Sequence, residues 1–160
     1  SVSAARTAVT LQSSRLAAHN SQVQAENKGV HVGSDSEVYG FQAEFSGVQP
    51  LVFKGHNSDV LDKQFQAIES LVKRNERNND ASEDNWCMKV QWGPQLFLDQ
   101  TLFENCRWST YFFDDPTFAE DSNGDIFQRS RAAKVELFES NSGWQGDFYP
   151  TDVQMRFNFF

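Results

Sequence analysis

The sequence predicts a mainly β domain, a β-rich α+β fold in which an antiparallel sandwich or barrel packs against one helix. Three observations predict it. The 15 Phe and 4 Trp among 160 residues concentrate the apolar content in large rings, which favour sheets over loosely packed helical bundles. Apolar and polar residues alternate along most of the chain after Glu37, the period of a strand with one buried face. A single segment departs from that period and repeats every 3.6 residues instead. At 160 residues the chain is long enough for one domain with a real core, and two halves would each be marginal.

Residues 1–36 differ from the remainder. Ser, Ala, Gln and Asn dominate, aromatic residues are missing, and the apolar positions are sparse. Such a stretch buries itself poorly, so it reads as an arm that becomes ordered on a neighbouring subunit through Val9, Leu11 and Leu16. Residues 37–160 then form the β-rich domain, with a strand extension from about residue 141.

In "YGFQAEFSG", Tyr39, Phe41, Ala43 and Phe45 alternate with polar or small residues, and "GVQPLVFKGH" supplies a second strand, Leu51 to Lys54. Gly47 and Pro50 bracket a turn, so a hairpin is the economical connection. The period changes in "SDVLDKQFQAIESLVKR". Leu61, Phe65, Ile68 and Val72 fall at helical spacing with Leu71 widening the stripe, and Ser58 or Asp59 can cap the start. A helix is expected from about Asp59 to Arg74.

Alternation returns afterwards. Trp86, Met88, Val90 and Trp92 share one face, Gly93 and Pro94 turn the chain, and Leu96 to Leu98 restart a strand. Leu102, Cys106, Trp108, Thr110 and Phe112 share a parity, as do Ala133, Val135 and Leu137. The end of the chain alternates Val153, Met155, Phe157 and Phe159 with polar residues, a strand apolar enough to need cover, and hence a candidate subunit interface. No internal repeat is evident.

The formal net charge of -8 does not supply the Lys/Arg footprint that tight nucleic-acid binding needs. No apolar run approaches the roughly 20 residues of a membrane-spanning helix, and the first residues lack the apolar centre of a signal peptide. Cys87 and Cys106 both fall on expected strands; a bridge is geometrically possible, but two half-buried thiols in a reducing compartment is the ordinary reading.

Chemistry is hard to find. "DDPTFAEDSNGD" resembles part of a calcium-binding loop, yet its first ligand position holds Ala119 and its twelfth Ser130, so no metal is expected. His19, His31 and His56 lack ligand spacing. The carboxylates Asp114, Asp115, Glu120, Asp121 and Asp125 crowd one loop with little apolar surface to split their pKa values, and read as a charged face towards solvent or a channel. Neither a catalytic residue nor a cofactor is expected.

Taken in order, "FSGVQPLVFKGH", "DKQFQAIESLVKR", "MKVQWGPQLFLDQTLFENCRWSTYFF", "DSNGD" and "RAAKVELFES" resemble the small tail proteins of contractile-tailed bacteriophages, in particular the tail protein U family and related baseplate hub proteins. The resemblance covers about residues 41–140, and it includes Trp92-Gly93, Ser109 to Phe113, Asn123-Gly124 and Arg131 to Leu137. It implies a non-enzymatic structural virion protein that forms a ring with its own copies and with neighbouring tail proteins, made in the host cytoplasm. Acidic groups lining such a ring would let DNA pass without adhering. A second class is an aromatic-rich β-sandwich that binds carbohydrate through Trp108, Tyr111, Trp144 and Tyr149.

Overall fold

In the computed structural model the chain winds as a parallel β-solenoid. The structure describes residues 2–4, 6–54, 63–75, 86–90, 95–112, 118–120, 123, 126–128, 134–141, 144–146 and 152–156. The first circuit runs through β1 (Val2–Ala4), β2 (Thr7–Leu11) and β3 (Arg15–His19). The second runs through β4 (Gln22–Ala25), β5 (Lys28–Val32) and β6 (Ser36–Phe41), and the third through β7 (Glu44–Gly47), β8 (Gln49–Phe53) and β9 (Lys63–Ile68). Then come β10 (Leu71–Arg74), β11 (Trp86–Val90) and β12 (Gln95–Asp99). The fifth circuit has β13 (Leu102–Glu104), β14 (Trp108–Phe112) and β17 (Lys134–Phe138), with the hairpin β15 (Phe118–Glu120) and β16 (Ile126–Gln128) inserted before β17. The chain closes with β18 (Trp144–Gly146) and β19 (Asp152–Arg156).

Equivalent strands stack in register into three sheets. Sheet A is β1-β4-β7-β10-β13, sheet B is β2-β5-β8-β11-β14-β18, and sheet C is β3-β6-β9-β12-β17-β19. Val2 pairs with Val23, Thr7 with Lys28, Lys28 with Gln49 and Arg15 with Glu37, so the early circuits return every 21 or 22 residues. Later circuits lengthen through insertions. Corners from B to C vary in length, at 12–14, 33–35, 54–62, 91–94 and 113–133, whereas those from C to A stay at two residues: 20–21, 42–43, 69–70 and 100–101.

The core is the column of inward residues from all three sheets. Val23, Phe45, Val72 and Phe103 come from A, Val30, Leu51 and Met88 from B, and Val38, Phe65 and Leu96 from C, all buried. Phe45 and Phe53 each place a ring centroid 5.8 Å from that of Phe65, so three sheets meet through three rings. Gly40 makes room for this cluster, because a Cβ there would come within 2.9 Å of Phe45 Cε2.

The antiparallel sandwich with a packed helix is therefore overturned: the described residues contain no helix, and apart from β15–β16 every strand pairing is parallel. Period two reports a half-buried strand but not the direction of its neighbour. The expected helix fails for a specific reason. Phe65 belongs to β9, where Lys63, Phe65 and Ala67 point inward, and Val72 belongs to β10 beyond the Glu69-Ser70 corner. Two buried residues on either side of a short corner imitate helical spacing. Leu61 lies outside the described residues.

The expected hairpin at Gly47–Pro50 is likewise a corner, passing from β7 in sheet A to β8 in sheet B. Nor is residues 1–36 a separate arm in this structure: β1 to β5 lie in the same sheets as the later strands, with Leu11 buried and Val9 and Leu16 packed on the core. The chain repeats structurally, contrary to the sequence reading. Cys87 and Cys106 form a disulfide with Cα atoms 5.6 Å apart, rather than two free thiols. One circuit separates them, which brings residues 19 apart in sequence side by side.

Candidate functional site

The corner from sheet C to sheet A is the most regular feature of the molecule. Its first residue is Asn20, Gln42, Glu69, Gln100 or Glu139 in successive circuits, and all have positive φ, between 47° and 50°. The first four donate their backbone N–H to the carbonyl preceding the next corner: Asn20 to Phe41 (3.0 Å), Gln42 to Ile68 (3.0 Å), Glu69 to Asp99 (2.9 Å) and Gln100 to Phe138 (2.8 Å). The second corner residue turns inward. Ser70 Oγ donates to the Ile68 carbonyl (2.9 Å) and accepts from Ala43 N–H (3.2 Å). Ser140 Oγ repeats this with the Phe138 carbonyl (2.9 Å) and Thr101 N–H (3.1 Å).

These bonds lock the corner and aim the first residue outward; all five are exposed. Glycine adopts this backbone at no steric cost and Asn at a reduced one, whereas most other L-residues meet a penalty of roughly 1–2 kcal/mol. Five successive corners nevertheless carry an amide or a carboxylate. Along the ladder, among the described residues, one side-chain bond joins neighbours: Gln42 Nε2 donates to Glu69 Oε2 at 2.8 Å.

Beside the ladder, on the sheet A side, runs a groove of about 630 Å³ crossing four circuits. Gln42, Glu44, Glu69 and Gln100 edge it, and Leu71 and Leu102 give it apolar floor; among the described residues no Lys or Arg lines it. Leu102 is 44% exposed, one of the two large apolar side chains most open to water among the described residues. Glu44 accepts from Gln22 Nε2 at 3.4 Å. On the opposite flank, sheet C turns a half-buried group of rings outward: Tyr39, Phe41, Phe97 and Phe138. Phe97 and Phe138 have centroids 5.5 Å apart, and the exposed His19 lies 5.5 Å from Tyr39.

A second cleft, of about 450 Å³, opens at the B-to-C corner between Arg15, Asp35, Glu37, Lys63 and Gln95. Here Arg15 Nε meets Glu37 Oε2 at 2.7 Å. This pair takes up one of its opposed sets of charge, and the cleft crosses fewer equivalent corner positions than the first groove.

The sequence-based candidates fall elsewhere. Val9, Leu11 and Leu16 belong to the first circuit, facing the core. Val153 and Met155 sit on β19, in register with Val135 and Leu137 of β17. Phe157 and Phe159 lie outside the described residues, as do Asp114, Asp115, Asp121 and Asp125; Glu120 ends β15, in register with Ile126. Of the aromatic residues considered for sugar binding, Trp108, Tyr111 and Trp144 lie on sheet B, away from the ladder, and Tyr149 lies outside the described residues. The described residues hold no group of three or more His, Cys, Asp or Glu that could bind a metal.

The ladder escaped the sequence reading although a signal exists. Asn20-Ser21, Gln42-Ala43, Glu69-Ser70, Gln100-Thr101 and Glu139-Ser140 each pair a planar polar residue with a small one immediately after a strand. Their uneven spacing hides the series. Compared with protein-family models, curated proteins and solved structures, the chain matches none.

Proposed function

We propose that this chain is a rigid carbohydrate-binding solenoid whose ligand lies in the groove along the C-to-A corner. The observation that carries the reading is the retention of amide and carboxylate side chains at five left-handed positions where glycine would be cheaper. Planar amides and carboxylates offer the paired donors and acceptors that sugar hydroxyls need, and the leucine floor offers apolar surface for a ring face. The rings of Tyr39, Phe41, Phe97 and Phe138 border the same corner. A parallel stack of strands fixes the backbone from which these groups project, so that only their side chains remain to be ordered on binding.

The Cys87–Cys106 bridge supports a working place outside the reducing cytoplasm, where disulfides persist. The resemblance to tail proteins drew on a hairpin, a helix, strands and a loop in a set order, and the described residues contain no helix.

A glycan array tests the proposal. The native chain should bind at least one printed polysaccharide, and Leu102→Asp, at an exposed floor position, should abolish that binding while leaving the melting temperature unchanged. Failure to bind any glycan, or binding indifferent to Leu102→Asp, would overturn it.

A further inference from the structure

Resting on that reading, we infer that the ligand is a linear, uncharged glycan lying parallel to the solenoid axis, with one sugar unit facing each circuit over at least four circuits. The argument begins with spacing. Asn20, Gln42, Glu69 and Gln100 follow one another at the separation of paired strands, roughly 4.8 Å, so the four span about 14 Å along the axis. Nearly equal φ and the same backbone hydrogen bond at these four corners start their side chains from similar positions. Such an array rewards a ligand that repeats at nearly the same interval. An extended chain of pyranose units linked through equatorial positions does so, while a branched or coiled glycan loses register after one or two units.

Charge narrows the class. Among the described residues three carboxylates, Glu44, Glu69 and Glu104, and no cation line the groove, so an acidic polymer meets repulsion there. A regular polycation fits no better. Glu44, Glu69 and Glu104 occupy different positions relative to the corner in their circuits, and two of them already accept hydrogen bonds from the neighbouring amides of Gln22 and Gln42. What recurs in register is hydrogen-bonding capacity, which suits hydroxyl groups.

Titration calorimetry with four oligomer series of two to six sugars tests this: β-1,4-linked glucose, β-1,4-linked N-acetylglucosamine, its deacetylated cationic form, and acidic galacturonate. The neutral β-1,4-linked series should gain several-fold in affinity per added sugar and level off at four or five units. Gln100→Gly should bring the plateau about one unit earlier. Affinity that does not depend on length, tighter binding of a charged series, or no binding by any neutral linear oligomer overturns the inference. A branched or α-linked glycan bound in a Leu102-dependent manner would reject the linear ligand and leave the binding groove standing, so the two failures are separable.

Discussion

His31 carries a pH dependence that can be signed from its surroundings. Burial, and then the charges of Lys28 and Lys54, lower its pKa from 6.5, and its Nε2 is buried without a hydrogen-bond partner among the described residues. The unfolded chain therefore takes up the proton first. Stability should be level above pH 6.5 and fall as pH drops through the interval below it, down to the lowered folded value. Melting temperatures between pH 8 and 5 would show the decline, and His31→Phe should flatten it. Gly40 supports a different expectation. Adding a Cβ 2.9 Å from the Phe45 ring should cost about 1–3 kcal/mol, because a ring buried in the shared core has little room to move. A denaturant midpoint for Gly40→Ala unchanged from the native value would contradict that packing.

At the scale of elements, strands were legible where inward residues alternate without interruption. Met88 and Val90 do face inward on β11, whereas Trp86 is buried outside the core cluster, with Lys89 Nζ over its ring. Legibility failed at corners. In "YGFQAEFSG", the Gln42-Ala43 corner shifts the parity, so Tyr39 and Phe41 face outward on β6 while Phe45 faces inward on β7. A pattern that looks like one strand is two strands in different sheets. The end of sheet A shows how a side chain completes an element. Asn141 Oδ1 accepts from Phe103 N–H at 2.7 Å and Nδ2 donates to the Phe103 carbonyl at 3.0 Å, so one amide takes the place of a sixth strand beside β13. Asn141→Ala should cost about 1–3 kcal/mol and speed hydrogen exchange at the Phe103 amide before the rest of the core.

For the whole molecule, a solenoid's stability accumulates from contacts between adjacent circuits. Composition and alternation indicated the β class, but the parallel order depends on a repeat that insertions obscure: Thr7 pairs 21 residues on, with Lys28, whereas Gln95 pairs with Lys134 across the inserted hairpin. Neither disulfide nor groove could be read before circuits were aligned, since both join residues about one turn apart. The Cys87–Cys106 bridge ties neighbouring circuits, and closing a loop of this length contributes about 3 kcal/mol. Cys87→Ala/Cys106→Ala should lower the unfolding free energy by about that amount, read from denaturant midpoints, while keeping the far-ultraviolet spectrum of a sheet. Loss of the sheet spectrum would show that the bridge is required to form the stack.

The ladder can be examined most directly in a chain with Gln42→Gly and Gln100→Gly, because glycine suits the left-handed backbone at both corners. Unfolding free energy and affinity for a neutral β-1,4-linked hexasaccharide would be measured on the same preparation. If the side chains are there for a ligand, stability should hold within about 1 kcal/mol while affinity falls at least tenfold. A variant that loses several kcal/mol of stability, or one that binds the hexasaccharide as tightly as the native chain, would contradict the assignment of this corner to glycan binding.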